Sequence, residues 1–455
     1  MLNIKTNSKK VKKGDTFVAI KGQNCDGHDY IDDAIKNGAQ TIICEKGNYS
    51  VKTVIVDNTK KFLKEYLYTN YYEQIKDIKL IGITGTNGKT TSCYLLYQAL
   101  NKLNLKTAYI GTIGFYIEDK IIELERTTPE LIDIYDMLLE CKENNIEYVV
   151  MEVSSHALDL GRVDTLKFDY GVFTNLTRDH LDFHKTFENY KNAKSKLFKK
   201  IKKNGYGIIN IDDKNYKNII NDDTNNIYYG FKNSDFKIIN YKYEGFKMFF
   251  NMSINRQKYE FETNLLGKYN IYNLMGVIII LNKLGIHIEK IKDIIKNLEY
   301  PKGRMDTLKY NKSLIIVDYA HTPDAVFNVI SCVKEYTKGK IYSIIGCGGN
   351  RDKNKRKLMS FYSTILSDYV IITSDNPRSE DVLSIIHDMT DNLVKNNYEV
   401  IIDRKEAIKK GIDLLNENDV LLILGKGHEN YQIIGDKKYY HNDKEYVLEY
   451  IDRVS

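Results

Sequence analysis

The sequence predicts an α/β protein of three domains, and three observations support this class. The chain has 455 residues, which is about three times the roughly 150 residues of an average domain. Short apolar segments bounded by turn or charged residues alternate with segments of helical periodicity along most of the chain. This alternation favours mostly parallel sheets that carry helices on both faces.

The first domain is expected to comprise residues 1–76. Short apolar runs in it predict strands at 16–20, 41–44 and 53–56. One helix-like segment, residues 30–37, lies between the first two of these runs. Together these elements predict a small α/β unit ahead of the longer pattern that follows.

The second domain is expected over residues 77–300. Its strands are predicted at 80–83, 148–153, 170–174 and 207–210. Because strand and helix patterns alternate here, the sheet is expected to be mostly parallel. Residues 211–260 are rich in Asn and Lys, and they are predicted to form an irregular β excursion within this domain.

The third domain is expected over residues 301–455. The boundary is placed at residues 300–308, "YPKGRMDTL", where a proline, a glycine and basic residues interrupt the pattern. A Rossmann-like α/β unit is predicted beyond it. Its strands are predicted at 314–317, 341–345, 369–373, 399–402 and 420–424.

Composition argues against several classes of function. Hydrophobic residues make up 42% of the chain and charged residues 28%, and there is no apolar run of about eighteen residues to span a bilayer. The N-terminus lacks the apolar core of roughly 7 to 15 residues that a secretory signal requires, so a cytoplasmic protein without membrane attachment is expected. The net charge of +6 is spread over interleaved acidic and basic residues, which disfavours nucleic acid as a partner.

Six cysteines lie far apart in the sequence and form no C-x-x-C pair. This spacing favours reduced thiols, and it predicts neither a disulfide framework nor a structural metal site. Catalytic chemistry must therefore be sought in other residue types.

A phosphate-binding loop is predicted in "LIGITGTNGKTTSCYLLYQAL", residues 80–100, where the order is strand, loop, helix. Glycines let backbone N–H groups point at phosphate oxygens, and the helix N-terminus adds partial positive charge. The loop is a variant of the G-x-x-x-x-G-K-[ST] pattern because Ile83 stands at the first glycine position. By itself this loop indicates only a nucleoside triphosphatase. The predicted contacts are Gly85, Thr86, Asn87, Gly88, Lys89, Thr90 and Thr91.

Possible metal ligands follow two later strands. Glu152 ends the strand in "YVVMEVSSHALDLGRVD", which is where a phosphate-loop fold places a Mg²⁺ anchor. The segment "FTNLTRDHLDFH" gathers Asp179, His180, Asp182 and His184 within six residues. Any single histidine in such a segment is more often structural.

Ten segments carry a resemblance to a known family. They are "GTNGKTT", "MEVSSHAL", "TNLTRDHLDFH", "NYKNAKSKLF", "GKYNIYN", "GRMD", "VDYAHTPDA", "GCGGNRDKNKR", "SDNPRSED" and "LGKGHE". In this order they resemble the signature of the Mur ligases of peptidoglycan synthesis, end to end. The resemblance implies an ATP-dependent amide ligase that acts through an acyl phosphate. It is strongest to those members that add the third peptide residue to a UDP-N-acetylmuramoyl dipeptide.

The resemblance also implies a catalytic set and its cofactors. Lys194 of "NYKNAKSKLF" matches the lysine that CO₂ converts to a carbamate in the family. Two Mg²⁺ ions are implied, one held by Thr90 and Glu152 and the other by His180 and the Lys194 carbamate. With Lys89 these residues would neutralise the charge that builds on the γ-phosphate of ATP.

The adenosine end of ATP is expected where the second and third domains meet. The matching positions are Asn273, Arg304 and Asp318. Two simpler interpretations stay open: Arg304 could be a surface residue at a hinge, and Asp318 could cap the helix that begins near Pro323. ATP contacts on two domains would couple binding to domain closure.

The nucleotide-sugar substrate is expected on the first domain and its border. "NSKKVKKGDTFVAIKG" resembles the family motif there and retains Ser8, but Asn7 and Lys9 replace its aspartate and arginine. This departure weakens the uridine site. The peptide arm of the substrate is expected to meet Thr127, Thr128, Ser154 and Arg162.

The motif "SDNPRSED" implies which amine is added, because family members with D-N-P-R add meso-diaminopimelate. The distal carboxylate of that amino acid suits the planar guanidinium of Arg378, and Glu429 would take the distal ammonium group. The full set of expected contacts is Arg351, Asp375, Asn376, Pro377, Arg378, Gly425 and Glu429.

Three alternatives remain: a lysine-adding Mur ligase, a folylpolyglutamate synthetase-like ligase, and a catalytically silent binding protein. The first domain and "DNPR" argue against the second. The presence of Lys89, Glu152, His180 and Lys194 argues against the third. The protein is expected to act as a monomer.

Overall fold

The computed structural model describes residues 2–22, 25–244, 247–391 and 393–454. Within them, sheets of four, eleven and six strands follow one another along the chain, and a two-stranded hairpin lies near the C-terminus. The described helices and strands form parallel-rich α/β layers. The α/β class predicted from the sequence is confirmed.

The N-terminal sheet has four parallel strands in chain order. The strands are β1 (Ile4–Lys5), β2 (Thr16–Val18), β3 (Thr41–Cys44) and β4 (Lys52–Ile55). The helices are α1 (Ile31–Lys36) and α2 (Thr59–Ile75). The segments predicted as strands and helix are found within about two residues of their expected bounds, whereas β1 and α2 were not predicted.

The central sheet has eleven strands, in the order β15-β14-β13-β12-β11-β10-β5-β9-β6-β7-β8. They are β5 (Lys79–Thr84), β6 (Thr107–Gly111), β7 (Gly114–Ile117), β8 (Lys120–Ile122), β9 (Tyr148–Glu152), β10 (Phe168–Phe173), β11 (Ile201–Asn210), β12 (Asn225–Gly230), β13 (Phe236–Glu244), β14 (Lys247–Ile254) and β15 (Gln257–Thr263). The strands from β6 to β13 in this order pair in parallel. Antiparallel strands extend both edges.

The helices of the central unit pack on both faces of this sheet. They are α3 (Lys89–Asn101), α4 (Leu131–Glu143), α5 (Ser155–Leu160), α6 (Leu181–His184), α7 (Phe187–Ser195), α8 (Lys268–Lys283) and α9 (Ile288–Lys296). Apolar residues of α3, α8 and α9 bury one face, and those of α2, α4, α5 and α7 bury the other. The second cluster includes Ile4 and Val18, so the N-terminal sheet shares a core with the central unit.

The segment 211–260 corrects one expectation. From residue 225 onward it does not form an irregular excursion, because β12 to β15 continue the main sheet, with one bulge in the β13–β14 pairing between Ile238 and Asn240. The physical reason is visible in β14, where every second residue is buried and the residues between them are more exposed. The Asn and Lys residues that suggested irregularity occupy the more exposed side of a regular strand pattern.

The C-terminal sheet has the order β16-β17-β21-β18-β19-β20 and is parallel except for β16. Its strands are β16 (Asp306–Tyr310), β17 (Ser313–Asp318), β18 (Ile341–Ile345), β19 (Tyr369–Ile372), β20 (Tyr398–Val400) and β21 (Val420–Leu424), and the hairpin is β22 (Tyr431–Ile434) with β23 (Lys437–Tyr440). The helices are α10 (Pro323–Tyr336), α11 (Asn354–Leu366), α12 (Val382–Thr390), α13 (Arg404–Asp413) and α14 (Asp443–Val454). All five predicted strands are present, whereas β16 and the hairpin were not predicted.

Three loops meet at one edge of the central sheet because β5 lies between β9 and β10. The register pairs Ile83 with Glu152 and Thr84 with Phe173. The carboxyl ends of parallel strands point the same way, so the chain beyond each strand emerges at this edge. In the described residues, no helix is both long and apolar enough to cross a membrane.

Candidate active site

A single cleft of about 1560 Å³ runs between the central and C-terminal units. It brings together most residues that the sequence singled out, from Lys89 of the phosphate loop to Arg378 and Glu429 of the C-terminal unit. Three of the predicted site residues do not line it: Ser8, Gly85 and Pro377. The roles of the residues in the cleft stay predictions, but their common location is what those roles require.

The loop after β10 fixes the phosphate loop through hydrogen bonds. Thr86 N–H donates to the Asn175 carbonyl at 2.9 Å, and Asn87 N–H donates to Asn175 Oδ1 at 3.0 Å. Gly85 packs so tightly that a Cβ there would clash with Thr174 Oγ1. Gly88 is the N-cap of α3 and has a φ of +84°, a conformation that glycine adopts without strain. The sequence therefore needs glycine at both positions.

Two lysines, the buried Lys194 and the half-buried Lys89, share one carbonyl oxygen of this loop. Lys89 Nζ donates to the Gly85 carbonyl at 2.8 Å and to the Thr86 carbonyl at 2.9 Å. Lys194 Nζ donates to the same Gly85 oxygen at 2.7 Å and lies 4.7 Å from the centre of the Tyr190 ring. In the described residues, Lys194 has no carboxylate within ion-pair distance. Burial lowers the pKa of both amines, and the Lys89 charge lowers that of Lys194 further.

Glu152 is fully buried at the end of β9, and four donors satisfy it. Oε1 accepts from Tyr109 Oη at 2.6 Å and from Thr112 N–H at 2.8 Å. Oε2 accepts from Thr90 Oγ1 at 2.9 Å and from Thr112 Oγ1 at 3.2 Å. Thr90 and Glu152 thus offer the hard oxygen donors that Mg²⁺ prefers. Sequence reasoning missed Tyr109 and Thr112, which β6 brings beside β9.

His180 lies in a left-handed backbone conformation, φ +54°, at the start of α6. Its N–H donates to Asp179 Oδ1 at 2.9 Å, and its Nε2 lies 3.3 Å from Asp179 Oδ2. Partial burial and the nearby lysines lower the pKa of His180 despite this carboxylate. His184 is instead buried, and its Nε2 bonds to Ser155 Oγ at 3.0 Å. One histidine of the cluster is therefore structural and the other faces the cleft.

The residues expected to meet the peptide arm form one hydrogen-bonded group beside Glu152. Thr128 Oγ1 donates to the Glu152 carbonyl at 2.8 Å and accepts from Ser154 N–H at 3.0 Å. Arg162 Nη1 donates to the Thr128 carbonyl at 3.1 Å, and Thr127 Oγ1 lies 3.0 Å from Thr112 Oγ1. The guanidinium of Arg162 also pairs with Glu130. These side chains are already held in place, which suits a preformed binding wall.

Ser8 lies apart from this group. It is buried in the N-terminal unit, where its carbonyl accepts from Asn37 Nδ2 at 2.9 Å. Asn7, which replaces the aspartate of the family motif, caps the short helical turn by accepting from Lys9 N–H at 3.0 Å. In the structure these residues organise the turn at 8–10.

The three predicted adenosine contacts line the cleft where the two units meet. Asn273 bonds to Asn270 and accepts from Ser92, and Arg304 stacks 4.6 Å from the centre of the Tyr319 ring. Asp318 accepts from the N–H groups of Met305 and Ala320, both at 2.8 Å. The helix-cap alternative for Asp318 is wrong, because the cap of α10 is Thr322. Arg304 is half-buried, which disagrees with its alternative as a surface residue.

Arg378 is held by its backbone in a left-handed conformation, φ +54°. Its N–H donates to the Ile433 carbonyl at 3.1 Å, and its carbonyl accepts from Gly435 N–H at 2.8 Å. Hairpin strand β22 therefore fixes the loop that carries Arg378. Burial lowers the pKa of this guanidinium, and the nearby Arg351 lowers it further. Two cations facing one space suit an anionic ligand group.

Glu429 lines the same cleft as these arginines, and it is held by a lysine that sequence reasoning missed. Lys426 is fully buried, and its Nζ is 2.9 Å from Glu429 Oε2. Asn376 Nδ2 donates to the same oxygen at 2.9 Å. Gly425 is required by close approach, since a Cβ there would lie 2.8 Å from Asp375 Oδ2. The signal for Lys426 was its place inside the glycine-rich segment "LGKGHE".

The phosphate loop contacts the C-terminal unit directly. Asn87 Nδ2 donates to Asp324 Oδ2 at 2.9 Å, and Thr322 Oγ1 donates to Asn87 Oδ1 at 3.3 Å. Arg178 and Asp352 form a second contact at 3.7 Å between the two units. The cleft is therefore closed enough for both of its walls to reach one ligand.

The fold and the cleft define a protein in which a phosphate loop faces a charged second α/β unit. Three family models match successive parts of the chain. They are the Mur ligase family catalytic domain over residues 2–80, the Mur ligase middle domain over 83–281 and the Mur ligase glutamate ligase domain over 303–427. The chain belongs to the Mur ligase family. The enzyme class predicted from the sequence, a ligase, is confirmed by this membership.

Curated relatives match over almost the whole length. A protein of Clostridium perfringens named UDP-N-acetylmuramoyl-L-alanyl-D-glutamate--2,6-diaminopimelate ligase is 43% identical, over 99% of this chain and 95% of its own. Proteins of the same name from Fusobacterium nucleatum and Aquifex aeolicus are 42% and 41% identical, over 97% and 98% of this chain and 92% of each of theirs.

Solved structures support the same architecture. A structure titled as UDP-N-acetylmuramoyl-L-alanyl-D-glutamate--2,6-diaminopimelate ligase is 29% identical, with a TM-score of 0.70, over 99% of this chain and 94% of its own. The MurF ligase of Thermotoga maritima, solved with ADP, shares the fold with a TM-score of 0.70 at 20% identity, over 99% of this chain and 97% of its own. The predicted three-domain α/β architecture is confirmed.

Proposed function

We propose that this Mur ligase adds meso-2,6-diaminopimelate to UDP-N-acetylmuramoyl-L-alanyl-D-glutamate, at the expense of ATP, in peptidoglycan synthesis. The observation that carries the proposal is one cleft lined both by Lys89 of the phosphate loop and by Arg351, Arg378 and Glu429 of the C-terminal unit. The names of relatives at 41–43% identity support the same activity. In domain terms, residues 1–76 would hold the uridine sugar, with Ser8 in its motif, 77–300 would bind ATP, and 301–455 would bind the amino acid.

The reaction would proceed in two steps. The free carboxylate of the dipeptide attacks the γ-phosphorus of ATP, so that ADP leaves and an acyl phosphate forms. The amine of diaminopimelate then attacks the acyl carbon, loses a proton and displaces inorganic phosphate, which leaves an amide. Lys89 and the N-terminus of α3 would stabilise the charge on the transferred phosphoryl group, while the two walls of the cleft position the reactants. Asn273, Arg304 and Asp318 would hold the adenosine end.

The donors in the cleft fit the divalent cations that the resemblance implies. Thr90 and Glu152 would hold one Mg²⁺ ion and His180 with a modified Lys194 the other. When bound, Mg²⁺ neutralises phosphate charge and polarises the transferred phosphoryl group. Within the described residues, no three histidine, cysteine or acidic side chains are arranged to hold a metal without help. Phosphate oxygens and a carbamate would supply the remaining ligands.

Lys194 fits the implied carbamate for a physical reason. A buried ammonium group beside Lys89, with no carboxylate partner in the described residues, favours its neutral form. A neutral amine is the nucleophile that attacks CO₂, and after loss of a proton the product is an N-carboxylate anion. The new anion would lie near Lys89 and His180. The repulsion between the ammonium groups of Lys194 and Lys89 would then be replaced by an attraction between the carbamate and Lys89, and the carbamate would offer two hard oxygens to a metal ion.

One assay tests the function. Pure protein is incubated with ATP, Mg²⁺ and UDP-N-acetylmuramoyl-L-alanyl-D-glutamate, with meso-diaminopimelate or L-lysine in separate reactions, and phosphate release is measured. Release with diaminopimelate supports the proposal. Release only with L-lysine would move the protein to the lysine-adding alternative, and release with neither would contradict a role in adding the third residue. A cytoplasmic location and a monomeric state stay predictions.

The carbamate has its own test. Protein equilibrated with ¹³C-bicarbonate is expected to show a carbamate carbon signal that is absent from a Lys194→Ala variant. The variant Lys191→Ala is a matched control, because Lys191 lies on the same helix but pairs with the exposed Glu188. The same signal in wild type and Lys194→Ala would contradict modification at Lys194.

A further inference from the structure

The two carboxylate oxygens of Glu429 have different surroundings. Oε2 accepts two short bonds, from Lys426 Nζ and from Asn376 Nδ2, both at 2.9 Å. Among the residues that the structure describes, Oε1 has only two long contacts, to Tyr319 Oη at 3.4 Å and to Tyr431 Oη at 3.5 Å. One oxygen is therefore committed to the protein, and the other retains capacity for a stronger donor.

Lys426 is the residue that creates this difference. Its side chain is fully buried, so its ammonium group cannot bind substrate from the solvent side. Besides Glu429, it donates to Asn376 Oδ1 at 3.2 Å, an oxygen that also accepts from Ile433 N–H at 2.9 Å. Lys426 thus connects Glu429, the loop of Arg378 and the hairpin that holds that loop.

The buried lysine also sets the charge of this end of the cleft. Arg351 and Arg378 face the space that Glu429 and Asp375 border. With Lys426 paired to Glu429, the two arginines outweigh the remaining carboxylate, Asp375. A side chain that brings only a positive charge would be repelled here, whereas one that also brings a carboxylate would be attracted.

We propose that Lys426 is a specificity-determining residue of the amino-acid site. It occupies Oε2 of Glu429 and leaves Oε1 for the distal ammonium group of the incoming amino acid. It also keeps the site positive, so that this ammonium is accepted when a distal carboxylate accompanies it. This inference rests on the proposed function and adds to it the reason why an amine of the L-lysine type is rejected.

The test measures selectivity in a Lys426→Met variant. For this variant, we expect the ratio of kcat/KM for meso-diaminopimelate to that for L-lysine to fall about tenfold or more, because Glu429 becomes free to pair with a plain ammonium group. The KM for ATP is expected to stay within about twofold, since the hydrogen-bond partners of Lys426 are Asn376 and Glu429, neither of them in the phosphate loop. The control is Lys437→Met, an exposed residue of β23 that does not line the cleft, and this variant should leave both quantities unchanged.

A double variant separates this role from a role in folding alone. Lys426→Met leaves Glu429 as an uncompensated, nearly buried charge, which can destabilise the fold. Lys426→Met/Glu429→Gln removes both charges. If Lys426 acts through Glu429, the double variant should lose no more diaminopimelate activity than Glu429→Gln alone, within about twofold. Losses that add would overturn the proposal.

The remaining outcomes are also decisive. A wild-type enzyme that uses diaminopimelate, together with an unchanged selectivity ratio in Lys426→Met, would overturn the role of Lys426 alone. A wild-type enzyme that does not use diaminopimelate would overturn the proposed function, and the inference with it. A fall in the ratio with an unchanged KM for ATP would support both.

Discussion

The central unit and the C-terminal unit, which form the two walls of the cleft, stabilise buried charged side chains in different ways. On the central wall, neutral groups hold three of the charged side chains: Glu152 accepts from hydroxyls and one N–H, and Lys89 and Lys194 donate to carbonyls. In the C-terminal unit, three buried cations pair with carboxylates instead. Lys426 pairs with Glu429, Arg404 with Asp443 and Arg356 with Glu380.

This difference separates two tasks. A buried charge that lacks an opposite partner is costly unless a ligand supplies that partner. The central wall therefore suits ligands that bring high charge, such as a triphosphate and divalent cations. A charged side chain that already has an opposite partner attracts a ligand less strongly, so it contributes to the geometry of the site and to the choice between similar ligands. The C-terminal wall accordingly suits the selection of one amino acid among similar ones.

The strongest test of the central wall is Lys89→Met. Removing the ammonium group should lower kcat by roughly 10³-fold or more, because its charge is expected to act on the transferred phosphoryl group. The melting temperature should change little, since Lys89 forms no ion pair in the described part of the chain. Lys102→Met, at the exposed end of the same helix, is the control. A stable variant with near-normal turnover would remove Lys89 from the reaction.

The buried ion pairs of the C-terminal unit predict a large effect of mutation on the stability of the fold. Arg404 and Asp443 form a fully buried pair, with Nε–Oδ1 and Nη2–Oδ2 distances of 2.8 and 2.7 Å. Asp443→Asn leaves the guanidinium without its charge partner, so the free energy of unfolding at pH 7 should fall by about 3–5 kcal/mol. Urea titration followed by circular dichroism measures this loss. Asp436→Asn, at the exposed turn of the hairpin, should cause little change.

The same pair predicts the direction of a pH effect. Burial alone would raise the pKa of Asp443, but Arg404 and His441 outweigh it and hold this pKa below its usual range. A carboxyl group whose pKa is depressed on folding adds stability above its unfolded pKa of about 3.9, and that stability is lost as the pH falls. Wild type should therefore lose stability more steeply than Asp443→Asn below about pH 5. If the free energy of unfolding fell equally with pH in the two proteins below about pH 5, this assignment would be contradicted.

The selective task of the C-terminal wall is tested by Arg378→Ala. We expect kcat/KM for diaminopimelate to fall by an amount equivalent to about 2–5 kcal/mol, because a carboxylate would be left unpaired. The KM for ATP should stay within about twofold. Arg256→Ala is a close control, since Arg256 also has a left-handed backbone, φ +69°, but lies in an exposed turn of the central unit. An equal loss of ATP affinity would show that Arg378 supports the whole cleft.

The sequence was a good guide wherever chemistry follows from local pattern. The phosphate loop needs glycines, a lysine and a hydroxyl in consecutive positions, and Glu152 ends a short apolar strand, so both could be located without a structure. Lys194 could not, because one lysine in a lysine-rich helix carries no local signal. Only the family resemblance singled it out, and the structure adds that it is buried beside Lys89.

The missed residues are those whose partners are distant in sequence. Tyr109 and Thr112 reach Glu152 because β6 pairs with β9, forty or more residues away. A tyrosine and a threonine so far from Glu152 in the sequence belong to no periodic pattern with it, so their contact with it could not be predicted. The hairpin β22–β23 was different, since Gly435 and Asp436 between two apolar or aromatic runs are a turn signal that was overlooked.

The smallest expected effect concerns how the central wall holds the buried carboxylate of Glu152. Tyr109→Phe keeps the ring but removes the 2.6 Å donor to Glu152 Oε1. A hydrogen bond to a charged group contributes about 1.5–3 kcal/mol, and Thr112 N–H still bonds to the same oxygen, so the Mg²⁺ concentration for half-maximal activity should rise roughly tenfold. Tyr97→Phe, in the same ring cluster 6.3 Å away, is the control. If both variants respond to Mg²⁺ alike, Tyr109 does not position Glu152, and neutral donors on this wall serve only to stabilise the fold.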